Sequence, residues 1–379
     1  MDEREARLGL SCVVEPGTAK VAAAIAEYGA GEVWQGLLRL GGRNTLGMRA
    51  REFRPEPVLA RAAALEARFV IPGDPEWPPQ LAELDGCEPV NGLSGVPCGL
   101  WLQGAGDLAE LAGRSVAVVG SRACTSYGET VATELAADLG DAGFSVVSGG
   151  AFGIDAAAHR GSLVSRTPGV AILAAGLDQA YPAAHRPLFD RIAERGVLVS
   201  ELPPGEHPTR VRFLGRNRLI AALTQATVLV EAAVRSGGRN TVTWATSLRR
   251  VVAAVPGPVT SALSFTPHRL IREAEAVLVT TAGEILELVS PLGRPAARPP
   301  SEHRPTDDLG PDELRVYEAV PARGSLTAGE LSLRSGVVLA SCLLILDELE
   351  GRGMVLQNDR LEWRLPPRQR LAEPLPFDT

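Results

Sequence analysis

The sequence predicts an α/β fold whose mainly parallel sheet is covered by helices on both sides. Short apolar runs alternate with helical stretches through the centre of the chain, an alternation that specifies βα repeats. Glycine-rich segments follow several of these runs, at the strand ends where open α/β sheets bind ligands. The apolar runs are residues 116–119, 145–147, 170–174, 197–199, 227–230, 251–255 and 277–279.

Residues 1–70 are predicted to form a small helical domain of the helix-hairpin-helix or SAM-like kind. Apolar residues recur at helical spacing over 19–28 and 32–40, on either side of a glycine-containing break. A packing or dimer-supporting helical domain explains the same pattern equally well. Residues 71–110, which are rich in proline and glycine, are predicted to connect this part to a sheet domain at 111–289.

The carboxyl-terminal part is predicted to be a separate unit. Residues 290–311 are proline-rich and indicate a linker, and residues 312–366 show three helices followed by a hairpin, the order of a winged helix. Residues 367–379 are predicted to be a tail. The third of these helices carries several acids and no basic residue, which opposes contact with duplex phosphates. We expect a docking or structural role, with duplex reading as the alternative.

Composition excludes several classes of protein. The formal net charge of −7 argues against a protein that coats duplex DNA by its overall charge. Any DNA-binding surface must therefore come from a local cluster of basic residues. The five cysteines are scattered without C-x-x-C spacing and the five histidines show no ligand spacing, so we predict no disulfide framework, metal site or cofactor. Lys20 is the only lysine, which excludes a Walker A lysine and leaves arginine to make any phosphate contacts.

The amino terminus mixes acids with arginines before any apolar stretch, unlike a signal peptide. No apolar run approaches the length that spans a membrane. The sequence therefore predicts a cytoplasmic protein without a membrane span.

The residues at three glycine-rich strand ends are candidates for binding a phosphate-containing ligand. Glycine lets a ligand approach the backbone, and exposed amides at a following helix attract anions. The structural alternative at each position is a tight turn. The candidates are Gly120, Ser121 and Arg122, then Ser148, Gly149 and Gly150, and finally Ser236, Gly237 and Gly238.

A cluster of arginines between residues 210 and 218 is the second candidate. It contains no acid and has an aromatic residue in its middle. This combination suits single-stranded nucleic acid, because the arginines can pair with its phosphates while a base lies on the aromatic ring. In the alternative interpretation, the aromatic belongs to the core and the arginines cap a helix. The residues are Arg210, Arg212, Phe213, Arg216, Asn217 and Arg218.

The sequence does not predict an enzyme, since it lacks a G-x-S-x-G elbow, an H-E-x-x-H pair and suitably spaced carboxylates. Asp155 and His159 lie one helical turn apart, but a carboxylate at a helix start beside a hydrogen-bonded histidine is the simpler interpretation. The alternative class is a nucleotide-binding or nucleoside-monophosphate-hydrolysing enzyme of a phosphoribohydrolase-like Rossmann family, using Glu231 or Asp155 near Gly237 and Gly238.

Several blocks occur in an order that resembles the DNA-processing protein A family, DprA or Smf. They include V-I-P-G-D-P-E-W-P-P-Q-L (70–81), V-A-V-V-G-S-R (116–122), S-G-G-A-F-G-I-D-A-A-A-H (148–159), G-L-D-Q-A-Y-P (176–182), S-E-L-P-P-G (200–205), F-L-G-R-N-R-L-I (213–220) and V-P-G-P-V-T-S (255–261). The resemblance covers about residues 69–289. The segment S-G-G-R-N-T (236–241) departs from the usual S-G-S-L-x-T. The resemblance therefore does not predict the details of the pocket near Arg239 and Phe265.

The resemblance implies an extended Rossmann-like domain, usually dimeric, that binds single-stranded DNA. It also implies a role in loading the RecA recombinase during natural transformation or recombination, without catalytic activity. Single-stranded DNA, a RecA-type recombinase and a second copy of the chain are therefore the expected partners. By the same resemblance, Arg122, Arg210 and Phe213 face the strand, with Arg216 and Arg218 as further candidates.

Overall fold

The computed structural model describes residues 2–234, 236–290 and 305–366, and the chain divides into two compact units. The first unit contains the described residues up to 290, and the second contains those from 305. Most of the predicted linker and the whole predicted tail lie outside the described residues. The predicted domain boundaries within the first unit stay predictions.

Helices form the amino-terminal part of the first unit, as the sequence predicts. Trp34 packs edge-on against Phe53 at 5.8 Å between ring centroids, and Leu10 is buried in the same cluster. The helices predicted at 19–28 and 32–40 are confirmed, although the second begins two residues earlier. The helices are α1 (Glu3–Val13), α2 (Ala19–Tyr28), α3 (Ala30–Leu40), α4 (Thr45–Glu52) and α5 (Pro55–Ala64).

A nine-stranded sheet is the centre of the first unit, and each of the predicted apolar runs overlaps one of its strands. The strands are β1 (Arg68–Val70), β2 (Leu100–Gln103), β3 (Ser115–Val119), β4 (Ser145–Ser148), β5 (Val170–Leu173), β6 (Val197–Ser200), β7 (Ala226–Leu229), β8 (Val251–Ala254) and β9 (Val277–Leu278). Their order is β1-β2-β6-β5-β4-β3-β7-β8-β9, parallel from β6 to β9, with β1 and β2 added antiparallel at one edge. The sequence did not predict β1, which lies in the part expected to be helical.

Helices cover both faces of the sheet because successive apolar residues of each strand point alternately to the two faces, so that both faces are apolar. Val116 and Val118 pack in one cluster with the helices after β3 and β4, whereas Ala117 and Val119 pack in the cluster of the opposite face. The helices of this part are α6 (Leu108–Gly113), α7 (Ser126–Asp141), α8 (Ile154–Val164), α9 (Arg186–Arg195), α10 (Arg210–Ala222), α11 (Gly238–Ser247), α12 (Phe265–Arg272) and α13 (Ala282–Val289).

The order of the strands creates one switch point. From β3 the chain steps outward through β4 and β5 to β6, and α10 then carries it back across the sheet to β7, on the other side of β3. The connections after β3 and β7 therefore leave the sheet in opposite directions and open a crevice at their carboxyl ends.

The second unit contains three helices and a small antiparallel sheet. Val316, Leu331, Leu346 and Trp363 belong to its core. The predicted order of three helices and a hairpin is confirmed, and the assignment as a winged helix stays a prediction. The elements are α14 (Pro311–Ala319), α15 (Ala328–Ser335), α16 (Leu339–Gly351), β10 (Leu326–Thr327), β11 (Leu356–Gln357) and β12 (Glu362–Arg364), with the strand order β10-β12-β11.

Among the residues that the structure describes, no single helix is both long enough and apolar enough to cross a membrane. The helices α15 and α16 meet those criteria only when taken together, as a pair bent by 108°.

The close packing of α7 against α8 is testable at Gly161. Gly161→Ala should lower the free energy of unfolding by about 1–3 kcal/mol, because the added methyl would overlap the carbonyl oxygen of Thr133. In the control Gly36→Ala on α3, nothing lies within 4 Å of the new methyl. That variant should gain about 0.5–1 kcal/mol, the helix preference for alanine. Urea unfolding measures both values, and a gain in both variants would contradict the packing.

Candidate functional site

A cleft of about 680 Å³ opens at the carboxyl ends of β3 and β7, where the strand order places the switch point. Five strand-to-helix connections contribute to it, together with the amino-terminal half of α10 and the start of α11. The lining residues are Val119, Gly120, Arg122, Ala151, Asp155, Tyr181, Pro208, Thr209, Arg210, Phe213, Leu214, Arg216, Asn217, Ile220, Ser236, Gly237, Gly238, Asn240 and Thr241.

Two aromatic rings and a guanidinium meet in the cleft. The Cζ atom of Arg122 lies 4.6 Å from the centroid of the Phe213 ring, and the Tyr181 ring lies 5.4 Å from the same ring. Arg122 is exposed and Tyr181 is 48% exposed, so both are accessible from solvent. The group combines a flat apolar surface with a fixed positive charge.

The start of α10 adds further positive charge. Thr209 caps the helix by accepting a hydrogen bond from the backbone N–H of Arg212 at 3.3 Å, and the exposed Arg210 follows directly. The first turn contains no acid, so the positive end of the helix dipole is reinforced by arginine. Such a helix start attracts anions.

The start of α11 exposes backbone on the other side of the cleft. Gly237 is exposed, and nothing lies within 4 Å of the position that a Cβ atom would take there. Its neighbour Gly238 is buried against the Gly120 backbone. The two glycines thus differ in role: Gly238 lets the connections after β3 and β7 pack together, and Gly237 leaves the backbone open to a ligand.

A buried, positively charged side chain lies at the base of the cleft. Arg216 is 7% exposed and donates a hydrogen bond to the carbonyl oxygen of Ile172 at the end of β5. Any Cβ atom on Gly149 would overlap the guanidinium of Arg216 and the carboxyl of Asp155, so this glycine is required by close approach. Burial lowers the pKa of Arg216 to about 10, which still leaves the group charged at neutral pH.

The same burial raises the pKa of Asp155, and the nearby Arg216 opposes that rise. One Asp155 oxygen accepts a hydrogen bond from the backbone N–H of Ala151 at 3.4 Å, so the carboxyl helps to fold the loop after β4. His159 on the next turn is fully buried and donates to the carbonyl oxygen of Gly149 at 2.6 Å. Burial lowers the pKa of His159 to about 4, so it is neutral and structural at physiological pH.

Asn217 joins the two sides of the cleft. Its side-chain amide donates to the Asn240 side-chain oxygen at 3.1 Å, and its own oxygen accepts from the Nε atom of Arg216 at 3.2 Å. This short network fixes α10 relative to α11 and holds Arg216 in place.

Four of the predicted residues at the strand ends do not line the cleft and instead hold its connections in shape. The backbone N–H of Ser121 donates to the Glu231 carbonyl oxygen at 2.7 Å, and the Ser148 hydroxyl donates to the Val118 carbonyl oxygen at 2.6 Å. The Gly150 carbonyl accepts from His185, and Gly149 makes room for Arg216 as described above.

Two of the predicted arginines point away from the cleft. Arg218 is fully buried and makes two hydrogen bonds of 2.6 Å to the two carboxylate oxygens of Glu201. Arg212 pairs with Glu15 at 2.7 Å and with Glu206 at 2.6 Å. Both guanidiniums are therefore neutralised within the protein, and both hold α10 to neighbouring segments. The pair of Arg212 with Glu15 was not predictable from the sequence, because the two residues lie 197 positions apart.

The structure adds cleft residues that sequence reasoning had not selected. Tyr181 is the clearest case, and its signal was its place in the G-L-D-Q-A-Y-P block. Thr209 was available as a helix-capping residue, and Asn240 as a polar residue after a glycine-rich strand end.

Glu231, the other carboxylate considered for chemistry, does not line the cleft. Its oxygens accept hydrogen bonds from the Thr125 backbone N–H at 2.9 Å and hydroxyl at 2.7 Å. It therefore anchors the start of α7. Within the described residues, no group of three histidine, cysteine or acidic side chains is placed to hold a metal ion.

Comparison with known proteins is consistent across sequence and structure. The model of the DNA recombination-mediator protein A family matches residues 68–290. A Mycobacterium tuberculosis protein named among the DNA processing proteins DprA is 44% identical over 366 residues, covering 94% of this chain and 92% of its own. DNA processing protein DprA of Streptococcus pneumoniae is 37% identical over 210 residues, which are 55% of this chain and 73% of its own.

Two solved structures share the fold. DNA processing protein A of Streptococcus pneumoniae matches with a TM-score of 0.63 and 29% identity, covering 76% of this chain and 99% of its own. The Helicobacter pylori protein of the same name matches with a TM-score of 0.50 and 23% identity, covering 58% of this chain and 94% of its own.

The structural role of Arg218 is testable by unfolding. Arg218→Met should lower the free energy of unfolding by about 3–5 kcal/mol, because it leaves the buried Glu201 carboxylate without its partner. Arg160→Met is the matched control, since Arg160 pairs with Glu129 on the surface, where such a pair contributes about 0–1 kcal/mol. Urea unfolding compares the two variants. A similarly small loss in both would contradict the buried ion pair.

Proposed function

The chain belongs to the DNA recombination-mediator protein A family, and from that premise we propose that it binds single-stranded DNA in the cleft at the carboxyl edge of its sheet. In this proposal it protects incoming or recombining single strands and helps to load a RecA-type recombinase in natural transformation or recombination. The observation that carries the proposal is the stack of Arg122 on Phe213 beside Tyr181.

Aromatic rings favour an unpaired strand over a duplex. In a duplex the bases are stacked on one another, and their faces are not accessible to a protein ring. An unpaired base of any identity can lie on such a ring, which stabilises binding without recognition of the base edges. Phe213 and Tyr181 lie in a cleft that also provides the Arg122 charge for a phosphate.

The charge of the cleft supports the same ligand although the whole chain is acidic. The charged residues of the lining are Arg122, Arg210, Arg216 and Asp155, which makes three cations against one buried acid. A concave site with a cationic lining concentrates field lines and attracts a polyanion despite an overall negative charge.

DNA processing protein A of Helicobacter pylori binds single-stranded DNA. Its 23% identity establishes a shared fold and nothing about individual residues. The proposal for this chain therefore depends on its own cleft, and the relative supports only the class of ligand.

The family is one of recombination mediators, which supports a recombinase as the protein partner. We also propose a homodimer, as the family resemblance implies, acting in the cytoplasm. Size measurement in solution with and without oligonucleotide tests the dimer.

Binding to oligothymidine tests the proposed function directly. Affinity should fall as salt rises, and Arg122→Ala should reduce the slope of log affinity against log salt by about 0.7, the value for one phosphate contact on a single strand. Phe213→Ala should lose about 1–3 kcal/mol of binding free energy with the slope unchanged, because a base loses its ring. Fluorescence anisotropy provides both measurements.

Arg160→Ala is the control for that experiment, since it removes an exposed arginine of α8 that lies outside the cleft lining. It should bind as tightly as the parent protein. Equal affinities for the parent protein, Arg122→Ala and Phe213→Ala would refute the proposal.

Nucleotide hydrolysis is the alternative that the sequence left open, and the geometry opposes it. Glu231 is occupied with Thr125, and Asp155 folds its own loop. Incubation with nucleoside monophosphates should release no free base, as followed by chromatography. Release that depends on Glu231 or Asp155 would overturn the assignment of the cleft to binding alone.

A further inference from the structure

Phe152 is an exposed aromatic residue next to the cleft that the proposed function does not use. It follows Ala151, which lines the cleft, and its side chain is 49% exposed without belonging to the lining. Isolated exposed apolar side chains are common on protein surfaces, so exposure alone implies nothing. The surroundings of this ring give it a more specific meaning.

The backbone on both sides of Phe152 is fixed. Gly153 has a φ of +75°, and a Cβ atom at that position would overlap the carbonyl oxygen of Ser121, so only glycine fits. Directly after it, the backbone N–H of Ile154 donates to the same Ser121 oxygen at 3.1 Å. On the other side, Ala151 donates to Asp155. The backbone that carries the ring is therefore fixed before any ligand arrives, which reduces the entropy cost of binding.

A column of rings supports Phe152 from the protein side. His185 lies 4.7 Å from it between ring centroids, at an interplanar angle of 70°. His185 is 7% exposed and donates to the Gly150 carbonyl oxygen at 3.0 Å. Behind it, the buried Phe189 ring lies at 6.0 Å. The inner side of Phe152 is thus in contact with the core, and its remaining surface faces solvent.

The position of this column relates it to the cleft. Tyr181 contacts Phe213 inside the cleft. His185, four positions after Tyr181 in the chain, contacts Phe152 beside the cleft. Both aromatic pairs therefore lie along the same carboxyl edge of the sheet. A strand that leaves the cleft on this side passes the exposed ring.

We propose that Phe152 is a second base-stacking position, which takes an unpaired base of the strand outside the cleft. This inference rests on the proposed function and adds to it the length of strand that the protein engages. Stacking of this kind tolerates any base and adds affinity only when the strand is long enough to reach the ring.

Oligonucleotides of two lengths test the proposal. For an oligothymidine of about 16 nucleotides, Phe152→Ala should weaken binding about 5- to 100-fold, and for one of about 6 nucleotides it should leave binding within about twofold. Phe152→Leu, which keeps apolar contact with His185 without a ring, should behave like Phe152→Ala. Phe152→Trp should bind both lengths as the parent protein does.

Tyr28→Ala is the matched control, because Tyr28 is an aromatic residue of α2 that is 62% exposed and does not line the cleft. It should leave binding of both lengths unchanged. The thermal unfolding midpoint of each variant confirms that it folds.

Abasic residues in the longer oligonucleotide identify the missing contact. With abasic residues in its 5′ half or in its 3′ half, one of the two oligonucleotides should bind the parent protein as weakly as the complete one binds Phe152→Ala. That oligonucleotide should show no further loss with Phe152→Ala, since the same contact cannot be removed twice.

The outcomes separate the two proposals. If the parent protein binds no oligothymidine, the proposed function fails and this inference fails with it. If Phe213→Ala weakens binding while Phe152→Ala and Phe152→Leu equal the parent protein at both lengths, only the stacking role of Phe152 is overturned.

Discussion

The cleft depends above all on one buried group, the guanidinium of Arg216, which joins α10 to β5 at the base of the cleft. It donates to the carbonyl oxygen of Ile172, packs against Gly149 where no side chain fits, and is held by Asn217. A buried cation of this kind is stable only when its donors are satisfied and a carboxyl lies nearby, which Asp155 provides. If any of these contacts were lost, we expect a shift of α10, the helix that places Arg210 and Phe213 in the cleft.

The arginine cluster shows how a helix divides neighbouring residues between two roles. Residues two apart on a helix point to nearly opposite sides, and residues three or four apart share a side. Arg210, Phe213 and Asn217 accordingly line the cleft, whereas Arg212 and Arg218 face carboxylates elsewhere. The cluster is therefore both part of the cleft lining and the attachment of α10 to the rest of the unit.

Helical spacing would have separated these two sets only in part, since Arg216 lines the cleft although it lies four residues from Arg212. The strands and their glycine-rich ends were predictable because a parallel sheet imposes long apolar runs and brings strand ends to one edge. The partners of Arg212 and Arg218 were not, because Glu15 and Glu201 come close only through the fold. The short strand β1 was also missed, since a strand of three residues with only one buried gives too brief a pattern to detect.

An acidic chain that is to bind a polyanion needs its positive charge concentrated at the site, as Arg122, Arg210 and Arg216 are in the cleft. The most direct measurement of the central claim is ultraviolet cross-linking of oligothymidine to the whole protein, with the linked peptides identified by mass spectrometry. The account predicts cross-links at Tyr181 or Phe213, the rings within the cleft. Cross-links confined to the helices of residues 3–64 or to the unit at 305–366 would contradict it.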